Sequence, residues 1–146
     1  MARKLIGQSM VEARLITESQ LNDLLAYQKR SHDKIILGKL SLDLGVVEEA
    51  EFAPFIASYF DVPYVKLDEY TFVQKEALEK IPESIAKRFN VMPLTKKDNA
   101  LTVAVFDPMD LVTIENLETV TGCSIIPVVS TPSHIKHKIT MSYGII

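Results

Sequence analysis

Two histidines, two aspartates, one Gly-Lys pair and one cysteine are the residues whose types and spacing could do chemistry. His134 and His137 stand three apart in a run that reads as a helix, so their rings could share a face and hold a metal ion. No third ligand stands close by, and His32 is distant in the chain, so solvent-facing or capping histidines are the expectation. Asp107 and Asp110 could pass for an acid–base pair of carboxylates. Asp107-Pro108 follows a β-prone run and Asp110 precedes a helical one, so a turn and a helix N-cap account for both. A phosphate-cradling loop needs G-x-x-x-x-G-K-[ST]. Around Gly38-Lys39, Asp33 stands at the first glycine position and Leu40 follows the lysine. Cys123 sits in an apolar, strand-like context and reads as a buried core thiol. Neither G-x-S-x-G nor H-E-x-x-H occurs. Met1, Met10, Met92, Met109 and Met141 form no stripe and read as packing residues.

Composition narrows the function classes further. The 146 residues carry 16 basic and 19 acidic side chains, for a net charge of −3. Nucleic-acid binding needs a basic excess or a dense basic patch, and neither is present. The 47% of hydrophobic residues against 24% charged is the balance of a folded globular chain. The apolar run after Arg3-Lys4 stops at two residues, so it is no signal peptide, and no stretch approaches a membrane span. Direct membrane insertion is therefore not expected.

The elements that must position these residues fall into two styles. Residues 1–61 read as helices. Leu5, Ile6, Met10 and Ala13 form an apolar stripe at helical spacing. Thr17 and Gln20 form a capping box ahead of Leu21, Leu24, Leu25 and Gln28. A third helix covers roughly Asp33 to Asp43 and ends at a left-handed Gly45. A fourth covers roughly Glu48 to Phe60, and Pro54 predicts either a kink or a regular start near Ala53. Residues 62–146 alternate short β-prone runs with helices. The runs are Tyr64–Leu67, Val91–Leu94, Leu101–Phe106 and Ser124–Val129. Lys96-Lys97-Asp98-Asn99 reads as a hairpin loop. The helices are Gln74–Asn90 (broken before Pro82), Asp110–Thr121 and Pro132–Tyr143. The fold class is α+β. A helical subdomain precedes a two-layer α/β subdomain whose sheet is mostly antiparallel or mixed. The boundary near Asp61-Val62-Pro63 is short, which predicts two subdomains in contact.

The helical half also matches itself at an offset of 31 residues. Leu5-Ile6-Gly7 aligns with Ile36-Leu37-Gly38, and Leu15-Ile16-Thr17-Glu18 with Val46-Val47-Glu48-Glu49. Leu21 meets Phe52, Leu25 meets Ile56, and Ala26 meets Ala57. Two helical hairpins of one design follow. The paired Gly7 and Gly38 cost about 1 kcal/mol each against alanine in a helix, which points to close approach of another backbone or a ligand.

These hairpins resemble the N-terminal domain of the ATPases that drive type II secretion and type IV pilus assembly. In the branch of that family that binds cyclic di-GMP, each repeat reads roughly R-L-G-x-x-L-x-x-x-G, then L-x-x-x-L-x-x-Q. The second half resembles the same family through an ordered set of pieces. These are Pro63-Tyr64-Val65-Lys66-Leu67, Ile81-Pro82 with Ile85-Ala86, and Val91-Met92-Pro93-Leu94. They continue through Leu101-Thr102-Val103-Ala104-Val105, Asp107-Pro108, Asp110, Thr121-Gly122 and Pro127-Val128-Val129 to Tyr143-Gly144.

The resemblance implies a binding module and not an enzyme, because hydrolysis in the family belongs to a later domain. It implies docking onto the cytoplasmic part of an inner-membrane secretion or pilus platform protein, with the first hairpin as the candidate face. It implies a cytoplasmic location, at most peripheral to the inner membrane, and no cofactor. The alternative it offers is a regulatory module for cyclic di-GMP. The ligand positions would then be Gly7, Met10, Leu21, Leu25, Gln28, Leu37, Gly38 and Gly45. The chain departs from that pattern at Leu5 and Ile36, which replace the arginines, at Arg14, which replaces a glycine, at Ser41, which replaces an aliphatic residue, and at Tyr59, which replaces the glutamine. Arginine is the natural partner of guanine and phosphate. Arg3, Lys4 and Lys34 are near in sequence, but neighbouring helix positions point in different directions. Met1 and the early helix suit a natural N-terminus, while Ile145-Ile146 suits either a cut or a natural end.

Overall fold

The computed structural model of the chain describes residues 5–30 and 37–143, with backbone alone at Leu37 and Gly38. Two compact units form, Met1–Phe55 and Ile56–Ile146. The division falls inside the fourth helix, upstream of Asp61-Val62-Pro63.

The first unit is helical, with α1 (Ile6–Glu12), α2 (Glu18–Arg30), α3 (Leu37–Asp43) and the start of α4 (Glu49–Tyr59). The repeat is structural. Shifting α1 by the sequence offset reproduces the bounds of α3, and shifting the start of α2 reproduces the start of α4. Both short helices end in a Schellman turn, where two backbone donors satisfy carbonyls left open at the helix end. In the first, the Arg14 N–H donates to Val11 O at 3.0 Å and the Leu15 N–H to Met10 O at 3.0 Å. In the second, the Gly45 N–H donates to Leu42 O at 3.0 Å and the Val46 N–H to Ser41 O at 2.9 Å. The turn residues Arg14 and Gly45 have φ of 62° and 70°.

The capping box at α2 is present in full. The Thr17 N–H donates to Gln20 Oε1 at 2.8 Å, and the Gln20 N–H donates to Thr17 Oγ1 at 3.1 Å. The apolar stripe of α1 is narrower than its spacing predicts. Gly7 and Met10 are buried, Leu5 and Ala13 are exposed, because the two-turn helix ends before Ala13 can face inward. Pro54 neither delays α4 nor splits it, since the helix starts at Glu49. Pro54 and Ala50, whose carbonyl loses its donor, both face solvent, where water replaces the missing bond. The core holds Met10, Ile16, Leu21, Leu24, Leu40, Val47, Phe52 and Ala53. The predicted helix start at Asp33 lies outside the described residues.

The second unit adds α5 (Lys75–Lys80), α6 (Glu83–Phe89), β1 (Met92–Lys97), β2 (Ala100–Val105), α7 (Leu111–Thr121), β3 (Ser124–Val129) and α8 (Pro132–Tyr143). The sheet has the order β1-β2-β3 and is mixed. β1 and β2 form an antiparallel hairpin, and β2 and β3 run parallel. A parallel pair needs a long crossover, and α7 supplies it. Gly122, at φ 69°, closes α7 and turns the chain into β3. The hairpin loop is only Asp98-Asn99, because Lys96 and Lys97 pair within β1, and Asp98 takes the strained left-handed conformation at φ 54°. Tyr64–Leu67 is not a full strand. Tyr64 makes one parallel bridge to Val129, framed by Val65 N–H to Val129 O at 2.9 Å and Val129 N–H to Pro63 O at 2.8 Å. At the other edge, the Lys96 N–H donates to Gln74 Oε1 at 2.6 Å, and the Gln74 N–H donates to Leu94 O at 2.8 Å. That covers the bulge at Pro93/Thr95. α8 is anchored by Tyr143, whose hydroxyl donates to Ile81 O at 2.7 Å, and by buried Lys138, whose Nζ donates to Asp68 O at 2.7 Å.

Candidate functional site

One cleft of about 300 Å³ opens on the helical unit. α2 forms its long wall. Gln20, Asp23, Leu24, Tyr27 and Arg30 recur at helical spacing along one side of it. Leu44 and Val46, which flank the left-handed Gly45, form the facing wall. The Schellman turn of α3 thus sets the width of the cleft. Leu24 is buried at its floor, while Tyr27 and Leu44 remain 45% and 47% exposed at its lips. Large apolar side chains left open beside each other mark a contact surface more often than isolated ones do. Asp23 stands midway along α2. At its C-terminal end is Arg30, whose Nε donates to Ala26 O at 3.3 Å and holds the guanidinium over the last turn.

The residues nominated from sequence occupy other places. Met10 and Leu21 lie in the core, and Gly7 is buried in α1. Gly45 is the turn residue of α3, Leu25 is 38% exposed, and Gln28 is half-buried on α2. The side chains at Leu37 and Gly38 lie outside the described residues, as do Arg3, Lys4, Lys34 and Ile36. None of the six nominated residues whose side chains are described lines the cleft. Leu5, where the family pattern has arginine, is 78% exposed. The sequence reading does not single out Tyr27 and Leu44, although α2 carries a signal for the first of them. Leu21, Leu24, Leu25 and Tyr27 give α2 an apolar arc wider than one core contact requires.

The other chemical candidates resolve into structure. Asp107 accepts the Met109 N–H at 2.9 Å, which makes the expected turn. Burial pushes its carboxyl above the usual range. The Met109 N–H opposes that shift, and the Asp110 charge adds to it. Asp110 caps α7 by accepting the Thr113 N–H at 3.2 Å and the Thr113 hydroxyl at 2.7 Å. His137 is exposed. His134 is half-buried: its backbone N–H donates to Thr131 Oγ1 at 3.1 Å, and its ring Nδ1 is buried with no hydrogen-bond partner among the described residues. Among the described residues no three His, Cys, Asp or Glu side chains could hold a metal ion together. Cys123 is buried, as its context predicts. No helix among the described residues is long and apolar enough to cross a membrane.

The MshEN domain model matches residues 60–145. The chain belongs to the MshEN domain family. PilB of Myxococcus xanthus (strain DK1622), a type IV pilus assembly ATPase, is 25% identical to it over 139 residues. That match takes in 95% of this chain and 24% of PilB, so this MshEN chain spans about a quarter of its relative. The solved structure of MshE with cdg superposes with a TM-score of 0.79 at 25% identity, over 97% of this chain and 100% of that one. The N-terminal domain of XpsE superposes with a TM-score of 0.70 at 22% identity, over 95% of this chain and 96% of that one, and it shares the fold. The likeness to MshE takes in the helical repeat as well as the sheet.

Proposed function

We propose that this MshEN chain is a non-catalytic docking module of type II secretion or type IV pilus machinery. Its partner is the cytoplasmic part of an inner-membrane platform protein, which places the chain in the cytoplasm at the inner face of that membrane. One observation carries the reading. The cleft along α2 presents Tyr27 and Leu44 half-exposed over an apolar floor, in a chain similar to a pilus assembly ATPase. Apolar side chains preset on a helix and on a hydrogen-bonded turn lose little entropy when a partner covers them. The test is capture of the platform proteins' cytoplasmic parts by the immobilised chain. Wild type retains at least one of them, and Tyr27→Ala with Leu44→Ser weakens retention tenfold or more, which is about 1.4 kcal/mol. Recovery of no platform protein by the wild type sinks the reading.

The superposition on MshE with cdg favours a second reading, cyclic di-GMP binding. Gly7, Met10, Leu21, Leu25, Gln28 and Gly45 keep the family's residue types, while Leu5 offers an exposed leucine in place of a cation. Calorimetry separates the two readings. A Kd above about 1 mM, weaker than about −4.1 kcal/mol, removes the nucleotide.

A further inference from the structure

The cleft also has a polarity, and that polarity specifies what fits it. From Gln20 to Arg30, α2 rises about 15 Å, close to three helical turns. The middle of that span is apolar, with Leu24 and Tyr27 facing Leu44 and Val46. The span also carries two charges of opposite sign. Asp23 lies about one turn in from Gln20, midway along α2, and Arg30, about 10 Å further on, is the last residue of the helix. Both walls are helix or helix-capping turn, so their backbone hydrogen bonds are used locally. An extended segment therefore finds no strand edge to pair with, and an inserted helix, which satisfies its own backbone, does not need one.

We infer that the cleft receives an amphipathic helix of about three turns from the docking partner, running antiparallel to α2, acidic at its N-terminal end and basic at its C-terminal end. The inference rests on the docking reading above. The direction follows from charge. An acidic end must meet Arg30 and a basic end must meet Asp23. A helix is most stable with acidic residues in its first turn and basic residues in its last. Both conditions hold together only when the guest runs opposite to α2. Antiparallel alignment also sets the guest dipole favourably against that of α2. The Arg30 Nη donors can take a carboxylate bidentately while Nε stays on Ala26 O.

A stapled synthetic helix of about twelve residues tests this on the whole chain. It carries leucines on one face, glutamates in its first turn and lysines in its last, and its twin has the charges exchanged. By fluorescence anisotropy the first binds about fivefold tighter than the twin, the size expected of two exposed ion pairs. The double variant Asp23→Lys with Arg30→Glu inverts that preference, and Leu44→Ser weakens both peptides alike. Circular dichroism confirms that the variants remain helical. Equal binding of the two peptides, or a double variant that keeps the wild-type preference, overturns the inference. Failure here is distinguishable from failure of docking itself. If platform capture is lost in Leu44→Ser but unchanged in the double charge variant, docking stands and this guest does not.

Discussion

At the end of α1 the chain turns through Arg14, and at the end of α3 it turns through Gly45, in the same left-handed conformation and with the same pair of backbone hydrogen bonds. The first hairpin fills its core with Met10 and Leu21. The second puts Ser41 and Phe52 at the equivalent positions, and all four are buried. A smaller residue on α3 goes with a larger one on α4, the kind of volume trade that cores tolerate. α2 opens with a reciprocal capping box, while Glu48 and Glu51 stand at the matching positions before and in α4. The difference teaches where the frame comes from. It lies in the order of helix, Schellman turn, buried β-branched residue and helix, with Ile16 and Val47 in the third role. Residue identity at the turn and in the core then tunes the stability of each hairpin and the surface each one shows.

Exchanging core residues between the hairpins should have the largest effect. Met10→Ser places the residue of the second hairpin in a site shaped for methionine. It removes a fully buried side chain, which costs about 2–5 kcal/mol, and buries a hydroxyl that must find a partner. A loss of about 3–5 kcal/mol is expected from urea unfolding at unchanged m. A loss under about 1 kcal/mol would mean that the two cores are interchangeable and that the volume trade has no consequence.

The turns come next. Gly45→Ala should cost about 1–2 kcal/mol, the penalty of an L side chain in the left-handed region. A Cβ at Gly45 meets nothing within 4 Å, so the loss isolates the backbone preference from packing. Because Leu44 and Val46 flank this residue, the same variant should also weaken capture of a docking partner. Capture that is unchanged despite lower stability would separate the cleft from the turn.

Much of this frame is legible in the sequence, for reasons that differ by residue. The bounds of β3 and α8 follow from local chemistry, with β-branched and apolar runs closed by Thr131-Pro132, where proline can start a helix but cannot continue a strand. The repeat was visible because apolar spacing survives substitution. Tyr64–Leu67 has strand composition but makes a single bridge, since pairing depends on how much of β3 is left to pair with, which no local pattern encodes. Leu5 and Ala13 fit a stripe on paper and are exposed in the fold, because a two-turn helix has too few residues to bury a full face. The cleft was hidden for a different reason. Its walls, α2 and the Leu44–Val46 turn, are far apart in sequence, and a half-exposed Tyr27 looks the same in a sequence as a buried one.

The smallest expected effect is the most specific to the comparison. Arg14 takes the left-handed conformation without being glycine, at an estimated cost of about 1–2 kcal/mol. Arg14→Gly should recover part of that. Glycine also loosens the unfolded chain by about 0.4–1 kcal/mol, so the net gain is at most about 1 kcal/mol. Arg14 is exposed, and its removal therefore takes no core contact away. Hydrogen exchange at Arg14 and Leu15 reads the turn directly, because their N–H groups make the two Schellman bonds to Val11 and Met10. Slower exchange with unchanged protection in the sheet unit is the expected outcome. Faster exchange would show that the arginine side chain itself stabilises the turn, so that the first hairpin holds its glycine-like backbone through a contact of its own and not merely in spite of its residue.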